Sequence, residues 1–305
     1  MKKIILSIGF ILFSLCAVGV RIFELKVMID SNYGFYFDQY STVAFILCAI
    51  AIIGCINFGI GALLTLRKES KERTVPNNSF LMGGASLVMA LGILADAGNF
   101  ALYNTQTGWA DYLVFSLSLL TAVTFAVFGI FYLLGKKAPT VLSLLPIVWS
   151  VAQLITNYTE YNSIALTSEN LLDVISLALF MVFWLYHGKL ICGMNLSKTF
   201  SKVLIFGSVT SVFGLISTLP RFFVEYGSRT EPISSFPMVS FSNLSGAIYI
   251  ICFMGILYFQ KKELSLAPVS ESDIEDDEEV VFVTERPSFI VETIEINETD
   301  VDNID

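Results

Sequence analysis

The 305-residue chain is poor in the side chains that carry most protein chemistry. It has one histidine, His187, which cannot build a histidine-rich metal centre, and no zinc-ligand spacing is present. Its five cysteines (Cys16, Cys48, Cys55, Cys192, Cys252) lie in or beside apolar runs, with no CxxC and no plausible extracellular pair. They read as small packing residues, and a disulfide framework is not expected. Nothing matches a P-loop, a dinucleotide fingerprint, a zinc-protease motif or a nucleophile elbow. With no nucleophile and base in a workable arrangement, neither an enzyme nor a cofactor is expected. Charge is scarce too, at 15% of residues, and its net value of −9 gives no reason to expect a nucleic-acid partner.

Apolar residues fill the space those absences leave. At 55% apolar, 13% aromatic and a mean hydropathy of +0.71, the chain belongs to the membrane class, with the lipid bilayer as its first partner. The apolar residues gather into eight runs: 4–20, 43–66, 80–102, 112–134, 141–157, 171–186, 203–219 and 241–259. Each is close to the ~20 residues that cross a ~30 Å hydrocarbon core as a helix. Barrel strands would alternate in polarity, and these runs do not. The expected fold is an all-α polytopic bundle of about eight transmembrane helices.

The charge divides the chain in two. Residues 263–305 hold 15 acidic residues and only Arg286 as a base, a net of −14, whereas residues 1–262 carry 17 bases and 12 acids, a net of +5. The predicted organisation is a membrane bundle over 1–262 and an acidic, mostly disordered tail over 263–305. Two patches in that tail, Val280 to Val283 and Phe289 to Ile296, are β-branched and aromatic among acids. They resemble short segments that pair with a partner, so residues 264–305 are the candidate binding segment for a cytoplasmic protein.

Thirteen bases (Lys2, Lys3, Arg67, Lys68, Lys71, Arg73, Lys136, Lys137, Lys189, Lys198, Lys202, Lys261, Lys262) fall on one side of the runs, and four (Arg21, Lys26, Arg221, Arg229) on the other. The positive-inside rule places the first side, and both termini, in the cytoplasm. MKK followed by a short apolar run and Ala17-Val18-Gly19 also has the look of a cleavable signal peptide, whose loss would leave seven helices. Retention is the expectation, because the first run ends in a polar signature that recurs. Arg21-Ile-Phe, Asn99-Phe-Ala-Leu-Tyr103, Asn157-Tyr-Thr-Glu-Tyr161 and Arg221-Phe-Phe-Val-Glu-Tyr226 close the odd runs, while Asp38, Asp111, Ser168-Glu169-Asn170 with Asp173, and Asn243 open the even ones. This weak similarity suggests four tandem helical hairpins inserted the same way up.

Polar residues inside the runs are the candidate site. Asp96 lies ~24 Å along its run at 1.5 Å per residue, in the outer leaflet, where it either binds a cation or proton or pairs with Arg21 or Arg221. Asn99 shares its face. Glu169 and Asp173 share another face and could converge with Asp96 and Arg221 on an outer vestibule, although Glu169 also suits a helix cap. Gln153 beside Trp149, and Asn57, are intramembrane polar candidates that read first as interhelical hydrogen-bond partners. Ala44, Cys48, Ala51, Cys55, Gly59 and Ala62 form a small-residue ridge that reads as a packing seam. Pro146 should kink the start of the fifth helix, Pro220 should end the seventh, and His187 should be interfacial.

Residues 168–189, SENLLDVISLALFMVFWLYHGK, resemble a group of multi-pass membrane proteins of unknown function from clostridial-type Gram-positive bacteria, through the Ser-Glu-Asn start and the aromatic-Tyr-His-Gly-Lys end. The resemblance covers about the middle third of the chain and implies a bacterial cytoplasmic membrane, but it transfers no activity or functional residue. The function expected is non-catalytic sensing or assembly, with an outer polar cluster and a partner-binding tail. The alternative is a small-solute or ion permease.

Overall fold

Each apolar run becomes a helix, because hydrocarbon offers no partner for a backbone N–H or C=O and the helix satisfies both within one segment. The computed structural model describes residues 2–29, 36–66, 79–103, 108–162, 168–194, 196–228 and 240–259. They form α1 (Lys2–Phe23), α2 (Ser41–Leu66), α3 (Phe80–Tyr103), α4 (Trp109–Leu133), α5 (Leu145–Asn162), α6 (Ser168–Ile191), α7 (Leu196–Ser228) and α8 (Phe241–Phe259). All eight are long and apolar enough to cross a membrane. The tail and its two patches lie outside the described residues.

Helix α7 is the hub. Helices α1, α2, α6 and α8 pack on it, α3 joins α4 and α8, and α5 bridges α4 and α6. Burial follows this plan: 78% of the most apolar stretch of α7 is buried, against 11% for α1 and 17% for α2. The larger core unites α3 to α8 around Phe125, Phe183, Trp184, Tyr249 and Phe253. A smaller one joins α1 and α2 to α6 and α7 through Val18, Cys55, Leu172, Val212 and Phe213. The molecule is a six-helix core with an α1–α2 pair resting on one side. Helices 1 and 2, 3 and 4, 5 and 6, and 7 and 8 each pack on one another, as hairpins do.

One proline expectation changes. Pro220 does not end α7, which continues through it to Ser228 and has 33 residues, ~50 Å at 1.5 Å per residue. Tertiary contacts hold the last turns: Arg221 is ion-paired to α6, and Val224 packs with Leu25 and Ile29. Pro146 lies in the first turn of α5, where its missing N–H costs no intrahelical bond, just after a 3₁₀ turn over Val141–Leu144.

The small-residue ridge of α2 is a packing seam over half its length. A Cβ on Gly59 would lie 2.8 Å from the Ile205 Cα, and Ser208 Oγ donates to the Cys55 carbonyl at 2.9 Å, so α2 and α7 touch backbone to backbone here. At the other end Ala44, Cys48 and Ala51 face a cavity instead.

Candidate functional site

The end of the bundle that holds Arg21 gathers three polar assemblies. In the first, α3 delivers a carboxylate to the start of α8. Gly92 allows this approach, since a Cβ there would sit 2.8 Å from the Phe241 carbonyl oxygen. One turn further along, Asp96 accepts hydrogen bonds from Phe241 N and Ser242 N, both at 2.8 Å, and from Ser240 Oγ at 3.1 Å. Ser240 Oγ in turn accepts from Asn243 N at 3.3 Å. The first amides of α8 are thus satisfied by their own serine and by an anion from a neighbouring helix, where the positive end of the helix dipole favours negative charge. The expected pairing of Asp96 with Arg21 or Arg221 is therefore corrected. Each arginine has a nearer carboxylate of its own, and the N-terminus of α8 takes Asp96.

The second assembly is the ion pair Arg221 Nη2 to Asp173 Oδ2, 2.9 Å long, between α7 and α6. The side chains are 1% and 9% exposed, so this pair is buried. In the third, Arg21 Nη1 lies 2.6 Å from Glu24 Oε2 and also donates to Tyr36 Oη, whose hydroxyl lies 3.2 Å from the same carboxylate oxygen. Local backbone builds this triad. After Phe23 the chain widens into a π turn, Glu24–Met28, and Ile29 forms an antiparallel bridge to Tyr36, with Phe37 N donating to Met28 O at 3.0 Å. The π turn sets Glu24 three residues from Arg21 on the same face, and the bridge brings Tyr36 back over both. Single π turns of this kind occur often at functional sites.

The triad lies on the wall of a cavity of about 600 Å³ between α1, α2, α6 and α7. Its remaining walls are apolar: Phe13 and Ala17 from α1, Ala44 and Ala51 from α2, Ile175 from α6, Phe213 from α7. Leu172 of α6 lines it as well. The volume falls within the range of small-molecule sites, which combine apolar walls with a few placed polar groups. A smaller cavity of about 190 Å³ lies toward the Lys3 end, lined by Leu6, Phe10, Phe58 and Tyr258.

Among the described residues, the other predicted side chains do not join these assemblies into one vestibule. Asn99 is half-buried one turn beyond Asp96. Glu169 is in the first turn of α6, and its side chain lies outside the described residues. Asn57 is exposed on the outer surface of α2, away from any interior path. The Gln153 carbonyl oxygen is buried on α5 with no hydrogen-bond partner among the described residues, while its neighbour Trp149 donates Nε1–H to Ser118 Oγ at 2.9 Å. His187 is enclosed by protein: it is 1% exposed, its Nε2 lies 2.8 Å from Tyr249 Oη, and the Phe253 ring is 4.6 Å away. Aromatic side chains of α6 and α8 enclose it more fully than its flanking Gly188-Lys189 suggested.

Sequence reasoning missed Glu24, Tyr36 and Ser240. Glu24 carried a signal, because Arg21 and Glu24 are three apart in one helical stretch. Ser240 carried a weaker one, as a serine just before an apolar run. Tyr36 carried none, since its placement depends on the backbone bridge.

In comparison with known proteins, no family model matches the chain, and neither does any curated sequence or solved structure. Fold and site together define a multi-pass helical membrane protein with eight candidate spans.

Proposed function

We propose that the protein is a non-catalytic receptor of a bacterial cytoplasmic membrane. A ligand in the cavity at the Arg21 end alters the packing of α1 and α2 on α7, and the acidic segment 264–305 passes that change to a cytoplasmic protein. The observation that carries this reading is the cavity itself: about 600 Å³ beside the Arg21–Glu24–Tyr36 triad, between the least buried helices and the hub. The charge asymmetry of the loops supports placing the cavity outside and both termini inside. A permease has less support, because it needs polar groups along a path through the bundle and Asn57 faces outward.

The test is capture of partners from solubilised membranes on the full-length protein, compared with a variant whose residues 264–305 are scrambled at constant composition. The expected result is a protein recovered by the native tail alone. Equal recovery by the scrambled tail removes the recruiting role, since charge alone would then explain binding.

A further inference from the structure

We infer that the cavity at the Arg21 end takes a single-chain amphiphile, whose uncharged hydrogen-bonding head (hydroxyl, ester or amide) docks on the Arg21–Glu24–Tyr36 triad while its hydrocarbon chain fills the apolar walls; this rests on the reading of that cavity as the ligand site. Four observations lead to it. First, the space is kept open by the sequence: Ala17, Ala44, Cys48 and Ala51 are small where the same seam of α2, further along, closes onto α7 at Cys55 and Gly59. Second, the walls are hydrocarbon, and about 600 Å³ suits one drug-sized guest, one chain rather than the two of a phospholipid.

Third, the mouth opens to lipid. Phe45, Ile50 and Leu171 line the cavity and are 78%, 53% and 52% exposed, all within membrane-spanning helices. A guest therefore arrives sideways from the bilayer, which selects molecules that already partition there. Fourth, among the described residues the charged side chains on the wall are one of each sign, Arg21 and Glu24. Arg21 is balanced by Glu24 at 2.6 Å, and Tyr36 bridges the two. A charged head would bring an uncompensated ion into a largely apolar space, at a desolvation cost. A carbonyl can accept from the guanidinium, and a hydroxyl can accept from it or donate to the carboxylate, with no charge left over, so the triad favours the uncharged head over a fatty-acid carboxylate or a phosphate.

The experiment uses the full-length protein in nanodiscs of phosphatidylethanolamine and phosphatidylglycerol, photolabelled with a diazirine-bearing monoacylglycerol and mapped by peptide mass spectrometry. Labels should fall on α1 and α2 around Ala17 and Ala51. Ala51→Phe, which fills the space, should cut labelling by about tenfold with the thermal transition unchanged, and Tyr36→Phe by about threefold. Unlabelled monoacylglycerol should compete about tenfold better than a fatty-acid anion or an alkane of the same length. Labelling unaffected by Ala51→Phe overturns the site, and so does equal competition by the alkane, which would mean that any hydrocarbon fills it. Competition by the fatty acid as good as that by the monoacylglycerol overturns the uncharged head. Recovery of a tail partner is scored on separate samples, so a failure there falls on the receptor reading and leaves the amphiphile site standing on its labels.

Discussion

At the scale of single residues, the carboxylates of the Arg21 end differ in what holds them, and that difference is measurable. Asp96 accepts two backbone N–H groups and one hydroxyl at the start of α8. Asp96→Asn turns one acceptor into a donor facing a donor, so it should cost about 2 kcal/mol, the range of a charge-assisted cap. Thermal unfolding of the purified variant measures this, and a double-mutant cycle should couple Asp96 to Ser240 and leave it uncoupled from Arg221. Coupling to Arg221 in place of Ser240 would refute the cap. Asp173 behaves otherwise. Removing one partner of a buried pair takes from the other its opposite charge, so Asp173→Asn and Arg221→Gln alone should each cost about 3 to 5 kcal/mol, while Asp173→Leu with Arg221→Met should recover most of the loss. A double variant as unstable as either single would refute the burial argument. Arg21 with Glu24 could be read from spacing along one helix, whereas the partner of Asp96 could not, because hydrogen bonds to backbone amides leave no mark on the residue types that supply them.

At the scale of elements, the eight spans are plain in the sequence, since length and continuous apolarity alone decide them. Their ends and mutual distances are not. Pro220 reads as a stop, yet α7 runs on because Arg221 and Val224 are held from outside the helix. Gly92 is one glycine among 20, and only the packed structure singles it out, through the 2.8 Å that would separate its Cβ from the Phe241 carbonyl. Gly92→Ala should therefore force α3 and α8 apart, at about 1 to 3 kcal/mol. Because the same shift withdraws Asp96 from its amides, Asp96→Asn should add little to Gly92→Ala. Full additivity of the two losses, measured by thermal unfolding, would show that the close approach and the cap are independent. The ridge of α2 teaches the same lesson from the other side. Small residues at helical spacing announce that something comes close, but whether it is a helix, as at Gly59, or a guest, as proposed at Ala51, is settled by the neighbour and not by the ridge.

At the scale of the whole molecule, burial is unequal in a way the hydropathy of the runs hides. Helices α1 and α2 are among the most apolar, yet they are the least enclosed by protein, because in a bilayer the lipid covers what packing does not. Stability should be graded accordingly, with the α1–α2 pair leaving α7 before the six-helix core melts. Native residues report both events. Cys55 is fully buried at the seam between α2 and α7, and Trp149 and Trp184 lie in the larger core. In a variant with Cys16, Cys48, Cys192 and Cys252 changed to Ser, alkylation of Cys55 reads the seam, and tryptophan fluorescence reads the core. On heating, Cys55 should become reactive several degrees below the fluorescence transition, by roughly the 2 to 4 °C per kcal/mol expected at this size. If the two midpoints coincide, the eight helices are one cooperative unit, and a guest between α1, α2 and α7 could not be felt without unfolding the rest. If they separate, the pair has the freedom that a cavity at its base requires, and a guest bound there should draw the two midpoints together, because a ligand stabilises only the packing that forms its walls.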